Sequence, residues 1–151
     1  MTILFFSNDS HAMNRMSRLG LGYTGQLATN MDALSFKIQK GRGMAFGGLL
    51  GYNSGDSGGF GAGVKIYKIL FDEPKLDFYG AAMAAMLSQK TAGVAESGFQ
   101  VDLTLGSEFS FEGIESLGFS VEFGLSINKI NEFEFGTTGF SFLVGAVHFY
   151  L

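Results

Sequence analysis

The chain has no cysteine, no tryptophan and a single proline, and only 16% of its 151 residues are charged. Without cysteine, neither a disulfide nor a thiolate metal site holds the fold together. One proline, Pro74, leaves almost every backbone N–H free to join a hydrogen-bonded ladder. The charge fraction lies well below the roughly 25% of an ordinary soluble domain, too little to coat a water-facing surface. A net charge of −4 gives no electrostatic basis for binding nucleic acid. Also missing is any run near the about 18 to 20 apolar residues that a membrane-spanning helix requires. The nearest stretch, 139–151, is short and contains Ser141 and His148. Mean hydropathy is nonetheless positive, +0.23, so the apolar residues must be distributed in some other pattern.

That pattern is alternation. Phe119, Val121, Phe123, Leu125 and Ile127 fall on one phase, and Ser120, Glu122, Gly124, Ser126 and Asn128 on the other. A strand points successive side chains to opposite faces, so the period assigns one greasy and one wet face. Seven further blocks read the same way: 17–27, 33–40, 44–52, 60–71, 76–88, 98–109 and 139–151. The first sets Leu19, Leu21, Tyr23 and Leu27 against Gly20, Gly22, Thr24 and Gln26. Most blocks approach the about 9 to 11 residues that a tilted strand needs to cross a bilayer, and their number is even, as in bacterial single-chain barrels. Hydrocarbon leaves no water to satisfy an open sheet edge, so strands that cross it must close into a barrel. The fold class expected is all-β, an eight-stranded antiparallel up-and-down transmembrane barrel over 17–151, preceded by a tail over 1–16.

The connections fit that reading. With the N-terminus on the periplasmic side, the short links are 41–43, 72–75 and 112–115, and Pro74 sits in one of them, where it harms no ladder. The opposite links, 28–32, 53–59, 89–97 and 129–138, are mostly longer, the asymmetry of outer-membrane barrels. Aromatic rings collect near strand ends: Tyr52, Phe60, Phe99 and Phe140 on the loop side, and Phe71, Phe78, Phe109, Phe119 and Phe149 on the turn side. Two such girdles mark the two membrane interfaces.

The rival architecture is a soluble lipocalin-like barrel with the apolar set inside. Its outer, polar set should then be rich in Lys and Glu. Here it is rich in Gly, Ser and Thr, with the isolated charges Lys37, Lys65, Asp102, Glu108 and Glu122. Small residues and a few opposed charges suit a narrow lumen that side chains fill, so these five are expected to form a neutralising network rather than a conduction path. The strand pattern, the opening Leu19-Gly20-Leu21-Gly22-Tyr23 and the closing Val147, Phe149 and Leu151 resemble the small eight-stranded bacterial outer-membrane barrels, the OmpA-like and OmpX-like group. The chain closes on Leu151 where that group typically closes on an aromatic. The resemblance implies location in the bacterial outer membrane after removal of a signal peptide, with membrane lipid as a partner.

Catalytic signals are weak. Residues 20–25 spell Gly-Leu-Gly-Tyr-Thr-Gly, but a dinucleotide loop needs a helix after it and this one lies inside a strand pattern. His11 and His148 are the only histidines; Ser141 or Glu122 are conceivable partners for His148, and no signature surrounds them. The 53–59 loop, with Ser54, Asp56 and Ser57, lacks the alternating acidic ligands of a calcium loop. No cofactor or metal is expected, and the chain reads as a non-enzyme. The tail contains Ile3-Leu4-Phe5-Phe6 without a basic start or a cleavage site.

The fifth block departs from a plain anchor. Residues 80–85 read Gly-Ala-Ala-Met-Ala-Ala, so either phase presents a smooth face, and Ala62 and Gly48 add to it from nearby strands. Small residues at a membrane-buried surface permit close approach of another protein. The expected interface of a homo-oligomer is therefore Gly48, Ala62, Gly80, Ala82 and Ala84. A ring of such barrels would enclose apolar walls that lipid fills. The competing expectation is a small porin or transport channel.

Overall fold

The computed structural model describes residues 17–55, 58–91, 93–139 and 142–151. The expectations placed on the tail, on His11, Asp56, Ser57, Phe140 and Ser141 lie outside the described residues. The strands are β1 (Leu19–Thr24), β2 (Ala33–Gln39), β3 (Met44–Asn53), β4 (Gly59–Glu73), β5 (Leu76–Thr91), β6 (Val94–Phe109), β7 (Leu117–Lys129), β8 (Phe133–Thr137) and β9 (Val144–Tyr150). Every neighbour pair is antiparallel, from β1–β2 through β6–β7. The ladder closes where β9 pairs with both β7 and β1, Glu122 lying opposite Val144 and Gly20 opposite Tyr150. The result is a closed barrel of eight staves.

The eighth stave is made in two pieces. β9 covers the turn-side half of β7, and β8 covers the loop-side half, with Leu125 opposite Thr137 and Lys129 opposite Phe133. The alternation over 139–151 therefore holds only from Val144 onward, and the expected 129–138 loop is mostly strand. Phe133, Phe135 and Thr137 continue the outward phase of Lys129, Ile127 and Leu125, a five-residue signal too short to stand out from a loop. The expected 89–97 loop likewise shrinks to a tight hairpin, because β5 and β6 stay paired to Thr91 and Val94. On the turn side, Gly113 takes φ +84°, the left-handed region that glycine enters without a Cβ clash. That turn is closed by Ile114 N–H donating to the Phe111 carbonyl. In β4 an extra residue at Leu70 interrupts the register between Ile69 and Phe71, so Leu70 and Phe71 both face outward and exposed.

Alternation fixes which side is which. Leu103, Phe123, Leu125, Val64 and Leu34 are exposed, while Asp102, Glu122, Ser126, Lys65 and Ser35 are buried. Leu103 is 63% exposed and its neighbour Asp102 is 0%. No described phenylalanine lies among the buried residues, whereas Tyr67, Tyr79 and Tyr150 all do. Apolar outside and polar inside is the reverse of a soluble barrel.

One part of the first block is corrected. β1 stops at Thr24, and Gln26 and Leu27 are both buried in succession, so Leu27 does not share the outward phase of Leu19, Leu21 and Tyr23. Leu27 enters the bore with Met31 and packs on Ala33, Leu49, Met83, Ala85 and Leu87. One side of the loop-side bore is thus apolar, while Gln26, Gln100 and Ser126 keep its other side polar, in place of the expected lumen of hydrophilic groups.

Charging the outer face should cost more than emptying it. In phospholipid vesicles, Leu103→Arg is expected to lower unfolding free energy by about 2–4 kcal/mol, the weight of a cation on the lipid face of a barrel. Urea titration of Leu103→Arg beside Leu103→Ala checks it; equal, negligible losses would contradict an outer wall in hydrocarbon.

Candidate functional site

Beside and below the apolar cluster around Leu27, with Lys65 and Asp102 both level with Met83, the inward charges meet. Lys37 Nζ lies 2.6 Å from Glu108 Oε2, and Lys65 Nζ lies 2.6 Å from Glu122 Oε2, all four side chains being nearly inaccessible. The Tyr150 hydroxyl donates to Glu108 Oε1 at 2.6 Å, and the Tyr79 hydroxyl to Glu122 Oε1 at 2.8 Å. Thr104 Oγ1 donates to Glu122 Oε2 at 3.0 Å. Lys37 also sits 4.6 and 4.8 Å from the ring centres of Tyr67 and Tyr79, and Lys65 sits 5.1 Å from that of Tyr67. Buried charges are costly unless each is paired and its remaining donors and acceptors are met. These carboxylates satisfy that condition.

Asp102 belongs to the same core through amides. Gln26 Nε2 donates to Asp102 Oδ2 at 3.0 Å, while Lys65 donates to Gln26 Oε1 at 2.6 Å. Gln100 Nε2 donates to the Gln26 carbonyl and to Asp102, and its Oε1 accepts from Ala28 N–H at 2.8 Å. The structure therefore gathers Lys65, Asp102 and Glu122 into one hydrogen-bonded chain and places the Lys37–Glu108 pair beside the same tyrosine rings.

The network also takes in Gln26, Gln100, Tyr67, Tyr79 and Tyr150, which lie outside the expected set of five charges. The tyrosines had a readable signal, since each shares the inward phase of its strand and a buried tyrosine carries a hydroxyl that needs a partner. Gln26 is on the wet face of the first block, and Gln100 on that of the sixth; what their phase could not tell is that both would meet Asp102. Glycines make the room. A Cβ on Gly106 would lie 2.7 Å from Glu122 Cγ and 3.0 Å from the Tyr79 ring, and one on Gly118 would lie 2.7 Å from Glu108 Oε1.

His148 is buried, with Nε2 2.9 Å from Ser35 Oγ. Ser35 is thus its hydrogen-bond partner, while Glu122 is engaged by Lys65, Tyr79 and Thr104. Both His148 and Ser35 are enclosed by the wall. No group of three or more metal-ligating side chains occurs among the described residues.

The small-residue face is sorted by the pleat. Gly80, Ala82 and Ala84 occupy the outward phase of β5, with Ala82 and Ala84 exposed, and Ala62 lies half-buried on the outward phase of β4. Gly48 is different: it is outward in phase yet covered, because a Cβ there would lie 2.5 Å from the Phe36 ring. Around Gly80 and Ala82 the wall is hollowed into an apolar groove of about 710 Å³. Phe142, stacked on Phe123 at 6.1 Å between ring centres and 17° between planes, forms one bank.

Aromatic contacts gather at both ends of the barrel. Phe109 stacks on Phe119 at 6.0 Å on the turn side, and Phe99 meets Phe133 edge-on at 6.2 Å on the loop side.

A closed eight-stranded antiparallel cylinder with apolar outer walls, paired charges in its bore and aromatics at its ends defines the small transmembrane barrels of the outer-membrane type. The N-terminal β-barrel domain of Pseudomonas aeruginosa OprF has the same fold, with a TM-score of 0.66 over 90% of this chain and 98% of that one, at 12% sequence identity. The sequence matches no protein-family model and no curated protein.

The buried pairs give a directional test. Lys65→Met, which strands Glu122 without its cation, is expected to cost about 3–5 kcal/mol in unfolding free energy. Adding Glu122→Met should recover most of that loss, since the costly element is the unpaired charge. A double variant as unstable as the single one would refute the pairing as described.

Proposed function

We propose that the protein is a non-enzymatic barrel of the bacterial outer membrane, filled by its own side chains, whose role is structural: it self-associates through its small-residue wall and organises lipid around it. The observation that carries this reading is the outward phase of β5, where Gly80, Ala82 and Ala84 stand in a row on a wall whose exposed positions are mostly bulky apolar side chains. A small side chain facing fluid lipid makes less contact than a bulky one, while a second protein surface gains close approach and dispersion contact. Ala62 extends the row onto β4. Gly48, beneath Phe36, is left out of the contact.

A filled bore supports a structural role over a porin. Leu27, Met31, Leu49, Met83 and Leu87 pack along one side of its loop-side part, and the Lys37, Lys65, Asp102, Glu108 and Glu122 side chains fill the space beside and below them. Eight staves leave an interior that side chains alone fill. A closed ring of these barrels would surround its centre with apolar walls, which hydrocarbon suits.

Native mass spectrometry from mild detergent reads the assembly directly. The parent chain is expected as a homo-oligomer, and Ala84→Phe as a monomer. Identical stoichiometry in both would remove the small-residue wall as the contact. Planar-bilayer recording is expected to show no stable ohmic steps; regular steps abolished by chain removal would favour the porin.

A further inference from the structure

We infer that the groove on the outer wall of β4 to β7 is a binding site for one acyl chain of a glycerophospholipid from the turn-side leaflet, with Lys68 holding that lipid's phosphate. The inference rests on the outer wall facing hydrocarbon; where it meets the row of small residues proposed above as a subunit contact, it assigns Gly80 and Ala82 to lipid and leaves Ala84 and Ala62 to the second barrel.

The groove is built from two tiers of paired residues. In the lower tier, Lys68 lies beside Gly80, Gly80 beside Leu105, and Leu105 beside Phe123. In the upper tier, Ile66, Ala82, Leu103 and Leu125 follow in the same order, with Thr137 next to Leu125. Gly80 and Ala82 leave a trough between Ile66 on one bank and Leu103 and Leu105 on the other, and Phe142 raises the far side by stacking on Phe123. Its volume of about 710 Å³ falls in the class of small-molecule sites, roughly 300–1,000 Å³. A trough with an almost wholly apolar lining does not hold water, so hydrocarbon is what fills it.

Lys68 supplies the second observation and the head-group end. It lies on the outward phase of β4, where a cation on a lipid-facing strand is unfavourable unless it reaches the interface. Its side chain lines the groove, and its Nζ lies 3.6 Å from where a side chain on Gly43 would begin, beside the β2–β3 turn. No acceptor engages it among the described residues. An apolar trough ending in a free ammonium at the membrane interface fits an amphiphile with a hydrocarbon tail and an anionic head. Of such amphiphiles, a phospholipid of the leaflet at that rim has both parts at the right depth.

The test reconstitutes the full chain into vesicles of phosphatidylglycerol and phosphatidylethanolamine, extracts it into mild detergent and counts retained phospholipids by native mass spectrometry. One phospholipid per chain is expected. Lys68→Ala should lower its retention about fivefold, the weight of one interfacial lysine, and Ala82→Leu, which fills the trough, should abolish it. Lys75→Ala serves as control, since Lys75 is on the same rim but already paired with Glu112 at 3.0 Å. It should change nothing. Ala84→Phe, outside the groove, should disrupt the oligomer and keep the lipid. Retention unaffected by Lys68→Ala and Ala82→Leu, an equal loss in Lys75→Ala, or loss of lipid together with the oligomer in Ala84→Phe would each overturn the site. So would a second chain, rather than a lipid, found protecting Ala82.

Discussion

Everything in this molecule depends on the closure of the backbone hydrogen-bond ladder between β1 and β9. In hydrocarbon an unpaired N–H or C=O costs several kcal/mol, about the whole stability margin of a small domain after one or two such groups. The short pairing from Gly20–Tyr150 to Thr24–Ala146 removes the edges that an eight-strand sheet would otherwise present. Only after closure does the alternation acquire an inside and an outside, and only then do the buried lysines find their carboxylates across the bore.

The bore solves two problems with one set of residues. A polar interior needs partners for every donor and acceptor, and a narrow cylinder has room for few side chains. Lysine, glutamate and tyrosine meet these conditions together: two ammonium groups and two carboxylates, with tyrosine hydroxyls taking the remaining carboxylate oxygens and tyrosine rings flanking the cations. Asp102, bound through the Gln26 and Gln100 amides rather than directly by a lysine, anchors the loop that follows β1. The network therefore works as a clasp between that loop and the opposite wall, as well as a means of neutralising charge. Away from its rims the outer wall obeys the opposite rule, phenylalanine in place of tyrosine, because hydrocarbon offers a hydroxyl no partner; the outward Tyr23 and Tyr52 stand near the loop-side ends of β1 and β3.

The proposed functions both use departures from that outer rule. Ala84 and Ala62 are small where packing against lipid would favour bulk, and Lys68 is charged where lipid would exclude charge. The first permits another barrel to approach, and the second gives a lipid head group something to hold. Their separation along β4 and β5 lets subunit contact and lipid contact occupy different tiers of one wall.

By itself, the sequence determined the strands and their faces, because side-chain period is a local property that every residue reports. Leu103, Asp102, Phe123 and Glu122 could be placed on their sides from the alternation alone, and the inward set of Lys37, Lys65, Asp102, Glu108 and Glu122 was readable in the same way. Tertiary structure alone decided who meets whom. Leu27 enters the bore because Gly51 and Gly61, on two other strands, leave a slot for it: a Cβ on either would lie 2.8 or 2.6 Å from Leu27 Cδ1. The division of the last stave into β8 and β9, the cover that Phe36 lays over Gly48, and the bank that Phe142 adds beside Phe123 have the same origin. Each depends on space left by residues distant in the chain, and no local period records that space.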